Sequence, residues 1–137
     1  MSRSRSKKLA KAKADKYFSE WIRISNSKNG IAQCCTCGSF ENWKLMDCGH
    51  FISRRFEATR YDPKNANPQC RKCNRFENGN QFAHGQFIDK KYGEGTANEI
   101  YNKSRMLCKR DQYDYEMLAE QYKEEIKKFL KVGIKSR

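Results

Sequence analysis

Apolar residues along this chain gather into helical stripes near its two ends and thin out between them. In AKADKYFSEWIRIS, the residues Ala14, Tyr17, Phe18, Trp21 and Ile22 recur at helical spacing and predict a helix over about residues 9–24 with one apolar face. Its aromatics are read as core rather than as surfaces for bases. NSKNG then ends the helix. A second stripe in DYEMLAEQYKEEIKKFLK comprises Tyr115, Leu118, Ala119, Tyr122, Ile126, Phe129 and Leu130. Lys127, Lys128 and Lys131 crowd its last turns, where cations suit the negative end of the helix dipole. This helix is expected to pack on its own domain or on a second subunit. Residues 34–80 are rich in Cys, Gly, Asn and Pro and predict only short strands near 43–46 and 50–53. From GQFIDKKYGEG onward the pattern weakens, with a turn at Gly93–Gly95.

Composition sharpens this picture. Of 137 residues, 37% are hydrophobic and 33% charged, so one small core is expected, held by some additional staple. The formal net charge of +13 points to a polyanionic partner, because each Lys or Arg placed on a phosphate releases condensed counterions. Residues 1–16 carry Arg3, Arg5, Lys7, Lys8, Lys11, Lys13 and Lys16 against Asp15 alone, and residues 1–13 read as a basic arm. No apolar run has the length of a membrane span, and the N-terminus lacks the apolar segment of a signal peptide. A cytoplasmic location without membrane contact is expected, and there seven cysteines suggest metal before disulfides.

The cysteines fall in two C-x-x-C pairs, Cys34/Cys37 and Cys70/Cys73. A gap of two residues lets both sulfurs of a knuckle face one ion, so the four predict a closed structural Zn²⁺ site. Gly38 suits the tight turn after the first pair. A redox dithiol would need a βαβ setting that the pattern does not provide. Cys35 is an alternative to Cys34 as ligand, while Cys48 and Cys108 read as spare or buried thiols. Such a site performs no chemistry of its own.

Between the knuckles lie His50, then Asn65, then Asn74 directly after Cys73, with Asn78 four residues further on. Taken alone, these asparagines are consistent with caps and turns. Their order after a histidine, bracketed by cysteine knuckles, resembles the His-Me finger or HNH nucleases, including resolvases of the endonuclease VII type. A longer resemblance runs through YFSEWIR, CCTCG, DCGHFISR, RYDPKNANPQCRKCNRFENGN and FIDKKYG, roughly residues 14–93. In that order these segments resemble the NinG/Rap family of phage recombination nucleases.

The resemblance implies a ββα unit with His50 as general base, Asn65 as a brace between loop and histidine strand, and Asn74 at the catalytic centre. Phosphodiester hydrolysis needs a base for water and a cation for the developing charge, which suits a neutral histidine and oxygen ligands for Mg²⁺ or Mn²⁺. Asn74 and Asn78 at i and i+4 are expected on one helix face. Many HNH nucleases carry Asp or His directly before the histidine. Here that residue is Gly49, and Asp47 is expected to supply the carboxylate in its place, with Glu77 and the substrate phosphate as the alternatives. Arg54, Arg55, Arg60, Arg71, Lys72 and Arg75, together with Lys7 and Lys8 of the arm, are candidate DNA contacts. His84 reads as structural or DNA-contacting.

The expectation is an α+β protein with a small zinc-bound ββα, HNH-like core flanked by N- and C-terminal helices. Its parts are the basic arm 1–13, a nuclease domain 14–95 with its leading helix, and a helical region 96–137. The implied activity is metal-dependent cleavage of branched recombination DNA, such as Holliday junctions and D-loops, by a homodimer paired through the C-terminal helix. The rivals are a zinc-ribbon DNA-binding module without catalysis and an HNH nicking enzyme without branch preference.

Overall fold

The computed structural model describes residues 2–135, with side chains described as far as residue 131. Helix α1 spans Arg3–Ser25, and Ser2 caps it by accepting the Arg5 N–H at 3.2 Å. The basic arm is therefore the first turns of α1 and not a separate segment. Ala10 and Ala14, buried on the same face as Phe18 and Ile22, carry the apolar stripe back into it. Alanine has high helix propensity and lets the neighbouring helix approach closely, so a stripe of small residues continues the seam that the aromatics begin.

That neighbour is α5, Gln112–Lys135. Tyr115, Ala119 and Tyr122 interleave with the α1 stripe, and Phe18 meets Tyr122 edge-on at 5.1 Å between ring centroids. The first half of the C-terminal stripe thus packs within its own chain. Only its far end, with Phe129 and Leu130 at 38% and 48% exposure, is open to a second subunit.

Three short strands follow α1: β1, Ser27–Lys28; β2, Ile31–Gln33; and β3, Phe40–Asn42. They form an antiparallel sheet in that order, with the first cysteine knuckle in the β2–β3 connection. The strands expected near 43–46 and 50–53 are displaced. Trp43–Leu45 is a single helical turn, and the next strand, β4, covers Asp47–His50. The short helix α2, Glu57–Arg60, leads towards β5, Ala66–Gln69. β5 pairs antiparallel with β4 in the register Asp47↔Gln69, Cys48↔Pro68, Gly49↔Asn67 and His50↔Ala66. A helical turn over Lys72–Phe76 follows directly, so the chain runs strand, strand, helical turn through this region.

Two helices that the pattern left unassigned complete the fold: α3, Gln81–Tyr92, and α4, Thr96–Ser104. Their buried Ile88 and Ile100 close on Ile52 beneath Phe51, Phe56 and Phe87. The architecture is mixed, with mainly helices around two small sheets. Among the described residues no helix is long and apolar enough to cross a membrane.

Candidate functional site

The knuckles bring Cys34, Cys37, Cys70 and Cys73 together, with all four Sγ atoms within 4.8 Å of one another. Gly38 takes a left-handed φ of +79° and returns its N–H to the Cys34 carbonyl at 3.0 Å, closing the first knuckle. In each pair the second cysteine's N–H points at the first sulfur, Cys37 to Cys34 at 3.5 Å and Cys73 to Cys70 at 3.4 Å. Burial works against charge on Cys34, but donors from Cys70, Thr36 and Cys37 lower its pKa to about 6. Burial and the neighbouring thiols push Cys73 up to about 12. Four sulfurs so close cannot all carry charge without a cation among them, and tetrahedral thiolate coordination is the chemistry of zinc. Cys34, not Cys35, belongs to this cluster. Cys35 is turned away, with its N–H on the Pro68 carbonyl at 3.0 Å and its thiol pKa raised by burial.

A polar cleft of about 470 Å³ lies between α1, β4 and the turn after the second knuckle. His50, Asp47, Asn74 and Asn78 all line it, with Asp15, Arg54 and Arg75 beside them. His50 ends β4 and packs against Phe18, 5.9 Å between centroids. Its Nε2 lies 3.0 Å from the Arg60 carbonyl oxygen. A carbonyl only accepts, so Nε2 carries the proton and Nδ1 keeps the lone pair. Burial lowers the His50 pKa to about 4, a shift that the Arg54 and Arg60 charges deepen and the Arg60 carbonyl opposes.

Arg60 is engaged within the fold. Its guanidinium is held by Asp15 through two bonds of 2.9 and 2.6 Å and reaches the Arg54 carbonyl at 2.6 Å. Tyr61 donates its hydroxyl to the same Asp15 at 2.7 Å. Burial would raise the Asp15 pKa, but Arg60 and Tyr61 hold it below the usual range. Through this clamp α1 fixes the carbonyl on which His50 rests.

Asn65 is fully buried. Its Oδ1 accepts from the Ile52 N–H at 2.8 Å, and its Nδ2 donates to the carbonyls of Ile52 at 3.0 Å and Thr59 at 3.1 Å. The side chain thereby closes the loop between β4 and β5 just after the histidine. Asp47 accepts two hydrogen bonds from Arg75, both at 2.9 Å, and one from Asn74 Nδ2 at 2.9 Å. Burial opposes ionisation of Asp47, yet Arg75, Asn74 and the more distant Arg71 charge keep its pKa low.

Asn74 and Asn78 are not i, i+4 neighbours on one helix. The Glu77 N–H bonds back to the Lys72 carbonyl at 3.2 Å, a widened turn, and Asn78 and Asn80 take left-handed φ values of 50° and 46°. Asparagine tolerates that conformation better than most residues. Both side chains reach the cleft from either side of this break.

Gly49 has a steric reason. A Cβ there would stand 2.2 Å from Gln69 Oε1 and 2.8 Å from its Cβ. Gln69 is fully buried and donates to Thr36 Oγ1 at 3.1 Å and the Gly79 carbonyl at 2.7 Å. It ties the first knuckle to the rim of the cleft, a connection that sequence reasoning missed; the only signal was a glycine where a ligand was expected.

His84 is buried on α3, where its Nε2 accepts from Asn67 Nδ2 at 3.0 Å. Burial and the His50 charge lower its pKa to about 4, and it does not line the cleft. Cys48 does line it, but burial raises its thiol to about 12. Arg54, Arg55, Arg71, Lys72, Lys7 and Lys8 are exposed. Arg54 alone of these lines the cleft.

No curated protein and no solved structure shows significant similarity to this chain. The family comparison reaches well past the motif region and takes in both the basic helix α1 and most of α5. With residues 2–132 matched by the family model described as Bacteriophage Lambda NinG protein, the chain belongs to the NinG family.

Proposed function

We propose that the cleft hydrolyses DNA phosphodiesters, and that the protein is a metal-dependent endonuclease acting on branched recombination intermediates. The observation that carries this reading is His50 itself: its Nε2 is committed to the Arg60 carbonyl, which leaves Nδ1 as a proton acceptor in a cleft it shares with Asp47, Asn74 and Asn78. A pKa near 4 makes the ring neutral but a weak base. A phosphate drawn in by Arg54 and Arg75 would offset the cationic field at the imidazole and raise its basicity. Asn65 keeps the loop behind the histidine from shifting.

The oxygens of Asp47, Asn74 and Asn78 fit a hard divalent cation, Mg²⁺ or Mn²⁺, whose chemistry would be to stabilise charge on the phosphoryl and leaving oxygens. Asp47 becomes available to it when Arg75 turns from the carboxylate to a phosphate. Arg75 is the more exposed member of that pair, which makes the exchange feasible. The cysteine cluster, by contrast, holds the scaffold as a structural zinc site.

Branch preference and pairing belong to the same proposal. Symmetric cuts in a four-way junction need two centres related by a two-fold axis. The exposed cations of α1 would follow the duplex arms. They gather at the positive end of a helix dipole, where a polyanion relieves their repulsion. Membership in a phage recombination-related family supports this substrate class.

The bidentate hold of Arg75 on Asp47 favours one other reading, a zinc-stapled DNA-binding module whose cleft stays closed. Incubating the protein with Mg²⁺ or Mn²⁺ on a four-way junction, a flap and a linear duplex of equal length separates the two. Divalent-dependent cuts at the branches support the nuclease. Tight binding without cleavage of any DNA leaves the binding module.

A further inference from the structure

Beside the cleft lies a second concavity, of about 560 Å³, walled by Phe51, Phe82 and Tyr101 and edged by Gln81, Gln86 and Asn98. We infer that this groove receives unpaired nucleobases of a DNA strand. The inference rests on the nuclease reading only for its meaning, that branched substrates offer such bases; the binding itself is independent of catalysis.

Phe82 is 80% exposed and Tyr101 47%, so both rings offer open surface to a ligand in the groove. Arg105 lies 4.3 Å from the Phe56 ring centroid and 4.5 Å from that of Tyr101. It stacks on Tyr101, a ring of the lining. The one acidic residue in the lining, Asp89, has its carboxylate engaged by the Ala97 N–H at 2.8 Å. Aromatic walls, side-chain amides and a stacked arginine in a chain of net charge +13 match the faces, edges and phosphates of a single strand.

Continuity supports the assignment. His50 lines the cleft and the next residue, Phe51, lines the groove; Gly79 lines the cleft and Gln81 the groove. Gln81 Nε2 donates to the Phe51 carbonyl at 3.1 Å, so the two walls are joined. The cleft and the groove thus draw on adjoining chain at His50–Phe51 and near Gly79–Gln81. Duplex DNA keeps its base faces stacked and gains nothing from the rings.

The test is binding by the full chain, without added divalent cation, of a fluorescent oligothymidylate strand and of a duplex of equal length. Phe82→Ala and Tyr101→Ala are compared with Phe40→Ala, a 69% exposed ring on β3 outside the groove. The groove variants should bind the strand about 5- to 150-fold more weakly, with duplex affinity and the Phe40→Ala control unchanged. Equal losses on strand and duplex, or none on either, would overturn the assignment. So would a fall in oligomeric mass by light scattering, which would make the face a contact between copies. If Phe82→Ala loses strand binding while wild type cuts no DNA, the groove stands and the nuclease reading fails. Normal strand binding by Phe82→Ala with active wild type gives the reverse.

Discussion

Replacing Gly49 by Ala probes the joint between the zinc knuckles and the cleft with a single methyl. The backbone at 49 does not require glycine, since its φ lies outside the left-handed range, so the cost is one of space. The new Cβ would stand 2.2 Å from Gln69 Oε1, 2.8 Å from its Cβ and 3.0 Å from its Cδ. A loose side chain would swing away. Gln69 cannot do so cheaply, because its root as well as its tip is contacted and its amide is bonded to Thr36 and Gly79. Overpacking of this kind costs about 1–3 kcal/mol. Losing the two hydrogen bonds adds about 1 kcal/mol each, for a total of about 3–5 kcal/mol. Against a usual stability of about 5–15 kcal/mol that is a large fraction. Urea denaturation followed by circular dichroism measures it directly. Gly49→Ala combined with Gln69→Ala should be strongly non-additive, no less stable than the worse single variant, because the clash disappears with the glutamine. Gly49→Ala with wild-type stability, or strict additivity in the double variant, would refute the close approach of β4 and Gln69.

Metal analysis should find one Zn²⁺ per folded chain; Cys37→Ser and Cys73→Ser should give unfolded or insoluble protein, while Cys108→Ser should be mild. Both histidines are held near pKa 4, below the ordinary value of about 6.5, so the folded state binds fewer protons than the unfolded one between those values. Stability should therefore be level above about pH 6.5 and fall towards pH 4, by up to about 1.4 kcal/mol per pH unit for each histidine. The lowered carboxylates Asp15, Asp47 and Glu57 keep their contribution above about pH 5 and begin to lose it as the pH falls through their unfolded values. Urea midpoints measured across the window should show His84→Gln removing part of the slope, and an unchanged slope would contradict the buried neutral ring. Asn65→Ala strands the Ile52 N–H and the Ile52 and Thr59 carbonyls in the interior, and should cost about 2–4 kcal/mol in the same assay.

Periodicity revealed the two long helices because each presents several large apolar side chains on one face, Phe18 and Ile22 on α1, Tyr115 and Tyr122 on α5. It placed the start of α1 late because Arg3, Ser4, Arg5, Ser6, Lys7 and Lys8 present no apolar residue to the core. Helices α3 and α4 each bury a single isoleucine, too little to stand out from polar neighbours. The cysteine spacing told of the cluster because a knuckle is a local structure. Arg60 and Gly49 were not legible in this way. Whether an arginine meets a phosphate or an aspartate from α1, and whether a glycine faces water or Gln69, are settled by contacts distant in sequence. Asn74 and Asn78 reach one cleft by a route their spacing did not suggest, a widened turn and a left-handed residue instead of a regular helix.

Single-turnover cleavage of a four-way junction by wild type and His50→Ala tests the central claim most directly, with junction binding measured alongside in the absence of divalent cation. The account predicts that His50→Ala folds, binds the junction as wild type does, and cleaves about 10²–10⁴-fold more slowly, the usual worth of a general base. Divalent-dependent cleavage that survives His50→Ala undiminished would contradict it.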